Sequence, residues 1–347
     1  MLYRALKNII HIGLYCYHSR ILVYGLENIP KNKPVLFLPN HQNALIDVLL
    51  VAVNCNRKPY FLARSDIFGG RVLNVLFEYV RMIPIYRMRD GRNTLSKNDA
   101  VFDSCARVLS KGEAIVMFPE GNHNLKRRVR PLSKGFTRVL FRALEQSPEL
   151  DIQVVPVGLN YTCAENFPSS AAVYYGKPIA IQDLYDKEDL PNSVVNIKEA
   201  VAFRLKTLTT HISPEVQYNE IASYLETQKV SFLDPEKTNR LIREGFPLTA
   251  PKVEKTRAHT NENNIFKSVF LFLNFPVILF WKLLIRPRVP ETEFIGTFRF
   301  AWSFVGFMLY FSLLFVLFLF TANLWWALGT VFFLWMFNVG YVKFLSN

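Results

Sequence analysis

Three short stretches of the chain place reactive side chains beside residues that break regular structure. In Pro39-Asn40-His41-Gln42-Asn43-Ala44-Leu45-Ile46-Asp47, a histidine follows the apolar run Val35 to Leu38 and a carboxylate comes shortly after it. Imidazole titrates near neutrality and can take a proton from a hydroxyl, while a neighbouring carboxylate fixes its tautomer and stabilises the imidazolium. His41 and Asp47 are candidates for such a pair. The bland alternative has Asn43 capping a helix and Asp47 on its solvated face. In Phe118-Pro119-Glu120-Gly121, proline removes a ladder donor and glycine permits a turn, so a strand ending at Phe118 presents Glu120. From Gly121 to Leu144 come Lys126, Arg127, Arg128, Arg130, Lys134, Arg138 and Arg142 with no acid among them. That run suits an anionic ligand, or a solvated face near acidic lipids. His123 has no role that spacing alone assigns. Ile83-Pro84-Ile85-Tyr86-Arg87 ends another strand on a base that would hold a phosphate or pair with a structural carboxylate.

The elements that must position these residues are legible as alternating patterns. Val35 to Leu38, Tyr60 to Ala63, Met82 to Tyr86, Ala114 to Phe118 and Ile152 to Gly158 are short β-branched runs and read as strands, the last as a buried strand with a bulge. Ala44 to Val53, Val72 to Val80, Thr94 to Leu109 and Lys134 to Glu145 read as helices long enough for right-handed crossovers. The expectation is an α/β domain over residues 21–247 with a mostly parallel sheet and flanking helices, its site where the strands end. Val195 to Ile212 reads as a further amphipathic helix, and 248–264, poor in apolar residues, as a linker.

Composition places this domain at a membrane. The chain has 347 residues, half of them apolar and a fifth charged, and its 41 bases against 28 acids leave +13. Extensive disorder is excluded, and an anionic partner is favoured. Of 30 phenylalanines, 18 fall between Phe266 and Phe344. Residues 300–320 and 324–342 carry no charge and are each long enough to cross a hydrocarbon core, joined by Thr321-Ala322-Asn323 as a hairpin. Arg286, Arg288 and Arg299 before it and Lys343 after it put the polar domain on the cytoplasmic face. The segment 266–285, broken by Pro276, is re-entrant or a third span. In residues 1–20, Tyr3, Leu6, Ile10, Leu14 and Tyr17 recur at helical spacing, as in a helix lying on a membrane or packed on the core. Cys16, Cys55, Cys105 and Cys163 lie apart with no C-x-x-C pair, which argues against a disulfide scaffold and a local zinc knuckle. No metal is expected. No recognised nucleic-acid motif accompanies the basic run, so nucleic acid is not an expected partner.

In this order and spacing the blocks resemble the lysophosphatidic acid and glycerol-3-phosphate acyltransferase family, from about Gly25 to Pro178. The specific elements are Asn40 to Asp47 and Phe118 to Gly121; Ile83 to Arg87 and Val155 to Gly158 match more loosely. The resemblance implies that His41 is the general base that deprotonates the acceptor hydroxyl and that Asp47 supports it, with Arg87, Glu120 and Gly121 holding the glycerol phosphate. It implies direct attack on an acyl thioester, with acyl-CoA or acyl carrier protein as donor, a lysophospholipid or glycerol-phosphate acceptor, membrane lipids as partners and no further cofactor. Two departures stand out. Family members have four residues between His and Asp, whereas five separate His41 from Asp47. Asn122, His123 and Asn124 follow Gly121 where many members have threonine or serine and arginine, leaving His123, Lys126 or Arg127 as substitutes.

Overall fold

The structure, a computed structural model, describes residues 2–68, 70–86, 97–213, 216–245 and 265–345. Arg87 and the 248–264 segment lie outside these residues. In chain order the domain runs α1 (Leu2–Tyr17), β1 (His18–Tyr24), β2 (Val35–Pro39), α2 (Ala44–Asn54), β3 (Tyr60–Arg64), α3 (Arg71–Tyr79), β4 (Met82–Ile85), α4 (Lys97–Ser110) and β5 (Ala114–Val116). It continues through α5 (Gly135–Gln146), β6 (Gln153–Tyr161), β7 (Ser169–Tyr175), β8 (Ile179–Ala180), α6 (Leu190–Leu208), α7 (Tyr218–Thr227) and α8 (Pro235–Glu244).

Among the described residues the strands form one eight-stranded sheet in the order β1-β7-β6-β2-β5-β3-β4, with β8 pairing β6 off this path. From β6 to β4 every neighbour is parallel. β7 runs antiparallel to β6, and β1 lies parallel to β7, so the sheet is mostly parallel with one reversed edge. β1, β7 and β8 are strands that the apolar patterning did not disclose. β6 pairs β2 in continuous register from Val35–Gln153 to Pro39–Val157, without the expected bulge.

Side chains alternate across the sheet with period two. Leu36, Leu38, Ile115 and Val154 enter a core with α4, α5 and α6, whereas Val35, Phe37, Val116, Val155 and Val157 enter another with α1 and α2. Both faces are therefore covered, and the central strands read as unbroken apolar runs for that reason. Fully burying each Leu, Ile or Phe contributes about 1.5–3 kcal/mol. The expected helices are observed with ends shifted by a few residues, and residues 94–96, the expected start of α4, lie outside the described residues. α6 begins earlier, at Leu190, because Asp189 accepts the Asn192 N–H and Pro191 suits the first turn. α1 is packed on the core through Leu14 and Tyr17, while Ile9, Ile12 and Tyr15 on its other side remain exposed.

Beyond the domain lie α9 (Ile265–Leu273), α10 (Phe275–Phe280), α11 (Ile295–Thr321) and α12 (Leu324–Gly340). Among the described residues two helical segments, Thr292–Thr321 and Leu324–Phe344, are long and apolar enough to cross a membrane. Asn323 forms the hairpin turn and caps α12 by accepting the Trp326 N–H. The segments Ile265–Leu273 and Phe275–Arg288 meet at an 80° bend, the shape of a broken span or a re-entrant loop. A bend frees backbone carbonyls that hydrocarbon cannot satisfy. Here the Tyr310 hydroxyl donates to the Leu273 carbonyl at 2.9 Å and the Trp302 indole N–H donates to that of Val277 at 2.9 Å. Asn274, fully buried at the bend, exchanges amide hydrogen bonds with Asn338 at 2.7 and 2.9 Å. Bonds of this kind between membrane helices contribute about 0.6–2 kcal/mol. The hairpin is fastened to the domain at both ends: Thr297 Oγ1 accepts the Leu45 N–H at 3.1 Å, and Lys343 Nζ donates to the His18 carbonyl at 2.7 Å.

Candidate active site

Of the sequence-selected residues, His41, Asp47, Glu120, Gly121 and His123 lie at the ends of the central parallel strands β2 and β5. As β2 ends, the Asn40 side chain donates to the Leu159 carbonyl at 3.0 Å and accepts the Leu159 N–H at 2.7 Å. This two-way pairing ties the end of β2 to β6 and delivers His41 to the mouth of the sheet. The His41 carbonyl accepts the Asn124 N–H at 3.0 Å, which binds the β2–α2 loop to the loop after β5.

His41 Nδ1 lies 2.8 Å from Asp47 Oδ2. An ionised carboxylate only accepts, so Nδ1 carries the proton and Nε2 is left as the basic nitrogen. Asp47 has no exposed surface, so the solvated-face reading of this residue is wrong. Its Oδ2 also accepts the backbone N–H groups of Gln42 and Asn43, both at 2.7 Å, and its Oδ1 accepts the Tyr161 hydroxyl at 2.5 Å. Burial and the Asp47 charge push the Tyr161 phenol well above its ordinary pKa and keep it a donor. The carboxylate is thus held on both oxygens, as a buried charge must be. The additional residue between His41 and Asp47 is accommodated at the entry to α2, whose first residue, Ala44, takes φ of 38°, a left-handed value that a non-glycine residue adopts rarely.

The ring of Phe118 stacks on that of His41, with centroids 4.0 Å apart. Gly121, at φ of 72°, turns the chain back after β5. An added Cβ there would meet nothing within 4 Å, so its conformation rather than crowding favours glycine. The turn buries Glu120, whose side chain is 2% exposed. Oε2 accepts from Arg130 at 2.7–2.8 Å, while Oε1 is buried and has no hydrogen-bond partner among the described residues. Burial pushes the Glu120 carboxyl above the usual carboxylate range, and the Arg130 guanidinium and His41 oppose that shift. A buried lone acceptor suits a hydroxyl donor.

His123 lies edge-on to His41, with centroids 5.6 Å apart, and is mostly buried. Its Nε2–H donates to Glu291 at 3.2 Å, and Phe294 meets its ring edge-to-face at 4.5 Å. Burial lowers the His123 pKa, and the Glu291 carboxylate opposes that effect. Lys126 and Arg127 turn elsewhere. The Lys126 ammonium sits over the Tyr218 ring at 5.4 Å. The Arg127 guanidinium donates to the carbonyls of Tyr161 at 2.8 Å and Thr162 at 2.7 Å, and stacks over Phe232 at 3.6 Å. Arg127 therefore braces the end of β6 against the α7–α8 unit. The cation that meets Glu120 is Arg130, which the basic run contained without distinguishing it. Tyr161 and Glu291 carried no local signal, because their partners are 114 and 168 positions away.

A family model described as Acyltransferase matches residues 20–160, which include His41, Asp47, Glu120 and Gly121. The chain is 33% identical over 85 residues to an uncharacterized acyltransferase of Schizosaccharomyces pombe, covering 24% of this chain and 13% of that protein. It is 27% identical over 138 residues to a chloroplastic 1-acyl-sn-glycerol-3-phosphate acyltransferase of Brassica napus, covering 40% and 36%. It is 27% identical over 162 residues to glycerol-3-phosphate O-acyltransferase 1 of Saccharomyces cerevisiae, covering 45% and 20%. Each match spans well under half of the relative's own length. Over residues 20–160 this chain matches the Acyltransferase family model, and over part of its length it is similar to proteins named as 1-acyl-sn-glycerol-3-phosphate and glycerol-3-phosphate acyltransferases.

Proposed function

We propose that the chain is a membrane-bound O-acyltransferase of phospholipid synthesis, moving a fatty acyl group from an acyl thioester to 1-acylglycerol 3-phosphate and giving phosphatidic acid. The observation that carries this reading is the His41–Asp47 pair at the strand ends, with a buried acceptor atom of Glu120 beside it. His41 Nε2 takes the proton of the acceptor alcohol as its oxygen attacks the thioester carbonyl, and Asp47 stabilises the imidazolium that forms. The thiolate leaves with the collapse of the tetrahedral intermediate and recovers a proton from that imidazolium. No acyl-enzyme is required. His123 holds the phosphate. In glycerol 3-phosphate, which carries two hydroxyls, Glu120 Oε1 accepts from the one that does not react; 1-acylglycerol 3-phosphate has a single hydroxyl, whose proton goes to His41. The donor is acyl-CoA or acyl carrier protein, and the domain faces the cytoplasm.

An apolar cavity of about 190 Å³ between α1 and α2, lined by Leu6, Ile10, Leu45, Leu49, Phe61 and Met82, supports a substrate with an acyl chain. It runs along the same helix whose first turn bears Asp47. Glycerol 3-phosphate itself is the second reading, favoured by the similarity to the yeast glycerol-3-phosphate acyltransferase. The test is a purified-enzyme assay with radiolabelled acyl-CoA, offering 1-acylglycerol 3-phosphate and glycerol 3-phosphate in parallel. Transfer to the lyso-acceptor, abolished by His41→Ala with membrane insertion intact, is the expected result. Transfer to glycerol 3-phosphate alone would assign the first acylation step. Silence with both, repeated with acyl carrier protein as donor, would turn the assignment to another lysolipid or to a non-enzymatic lipid-binding protein.

A further inference from the structure

The segment that leads into the membrane hairpin is built into the site, although it lies more than a hundred residues beyond the family-matched region. Three contacts establish this. Glu291 accepts from His123 Nε2 at 3.2 Å. Phe294 packs edge-to-face on the same ring at 4.5 Å. At the start of α11, Gly296 abuts the loop after His41 so closely that a Cβ would sit 2.6 Å from Asn43 Oδ1 and 3.0 Å from the Ala164 carbonyl oxygen. His123 is mostly buried, whereas Glu291 is 60% exposed, so the carboxylate reaches the imidazole from the solvent side. The opposite edge of the arrangement is His41, whose ring lies 5.6 Å from that of His123.

We propose that Glu291 is a positioning residue, which holds His123 edge-on to His41 so that its other ring nitrogen meets the phosphate monoester of the acceptor. This deepens the acyltransferase reading and rests on it for the identity of the acceptor. Nε2–H is committed to Glu291, so Nδ1 is the nitrogen left for the ligand, as an acceptor in neutral imidazole and as a donor once protonated. An arriving phosphate dianion favours the protonated form, and the Glu291 carboxylate favours it from the other side. The charged and titratable groups that face His123 are Glu291 and Glu293 from the segment before α11 and His41 from the β2–α2 loop. The two carboxylates favour the imidazolium and His41 opposes it. A salt-exposed contact of this kind is screened, so its removal is expected to weaken acceptor binding by about fivefold rather than to abolish it.

The test compares full-length wild type, Glu291→Gln, His123→Asn and the double variant, by transfer kinetics and by calorimetric binding of glycerol 3-phosphate. Glu291→Gln is expected to raise KM for the phosphate-bearing acceptor with kcat within twofold of wild type, and to weaken glycerol 3-phosphate binding in the same ratio. Binding that requires imidazolium declines as pH rises, and removing the carboxylate moves that decline to lower pH. In the His123→Asn background the Glu291 change is expected to add nothing. Wild-type KM in Glu291→Gln, a loss confined to kcat, or an undiminished effect in the His123→Asn background would each overturn the proposal. Absence of transfer by wild type would count against the acyltransferase reading, and the calorimetric comparison would still decide the role of Glu291: weaker binding in Glu291→Gln supports it, equal or undetectable binding refutes it.

Discussion

Replacing Asp47 by asparagine separates the charge of the buried carboxylate from its shape. The asparagine carbonyl can keep the N–H groups of Gln42 and Asn43, and its amide can donate to the Tyr161 oxygen, because a hydroxyl also accepts. The loop therefore stays in place, and the loss in stability is expected to be about 1–2 kcal/mol, the scale of hydrogen bonds weakened rather than deleted. What disappears is the attraction between the carboxylate and the imidazolium. Nδ1 and Oδ2 are 2.8 Å apart, and the delocalised charges are taken as centred about 4 Å apart. At an effective dielectric constant of about 20 that attraction is roughly 4 kcal/mol. If it is realised only in the transition state, kcat falls by about a thousandfold. The assay is radiolabelled acyl transfer at saturating acceptor, with thermal melting of the same preparations. A kcat within tenfold of wild type in protein that melts normally would refute the dyad as the source of base catalysis.

Two other perturbations probe the same support. Tyr161→Phe strips the donor from Asp47 Oδ1 and leaves a buried acceptor unsatisfied; stability is expected to drop by about 2 kcal/mol in thermal or denaturant unfolding, while kcat falls less than tenfold because Oδ2 still fixes the His41 tautomer. Glu120, whose pKa burial raises above that of the unfolded chain, contributes stability that is present below about pH 4.5 and lost as pH climbs through its folded value. Wild type is therefore expected to lose melting temperature relative to Glu120→Gln as the buffer is moved from acid toward neutrality. A difference that stays constant across that range would show that the carboxyl is not held in a desolvated state.

Local patterning made the central sheet legible, and with it the site. Strands buried on both faces are written as runs such as Val-Leu-Phe-Leu, and the groups that end them, Pro39 and Phe118-Pro119-Glu120-Gly121, are structure breakers of known chemistry. β7 escaped notice because Ser169-Ser170-Ala171-Ala172 is small and only weakly apolar, and β1 because it begins directly where the helical spacing of α1 stops. The helices α7 and α8 were hidden for a related reason: their satellite core rests on only a few side chains, among them Ile212, Ile221, Leu225 and Phe232, too few to set a clear period. In the site, the extra residue before Asp47 was visible but its accommodation at Ala44 was not, since a positive φ at alanine runs against local preference and is imposed by the surrounding fold. The assignment of Lys126 and Arg127 to substrate rested on their charge and on their place after Gly121. Their aromatic partners, Tyr218 and Phe232, come from a unit that the family resemblance does not reach.

The two fastenings of the hairpin set a fixed height for the reacting atoms. One lies at Thr297, against the first turn of the helix that bears Asp47; the other lies at Lys343, whose ammonium caps the carbonyl of His18 and rests 3.7 Å from the Tyr15 ring. A pair of helices pinned at both ends cannot lean to match a thinner or thicker bilayer without pulling on the loop that follows His41 or on the edge strand β1. For helices that cross a bilayer, hydrophobic mismatch is normally relieved by tilt, so these fastenings would couple bilayer thickness to the site. If the proposed acyl transfer holds, vesicles of graded acyl-chain length would expose this dependence as a turnover optimum.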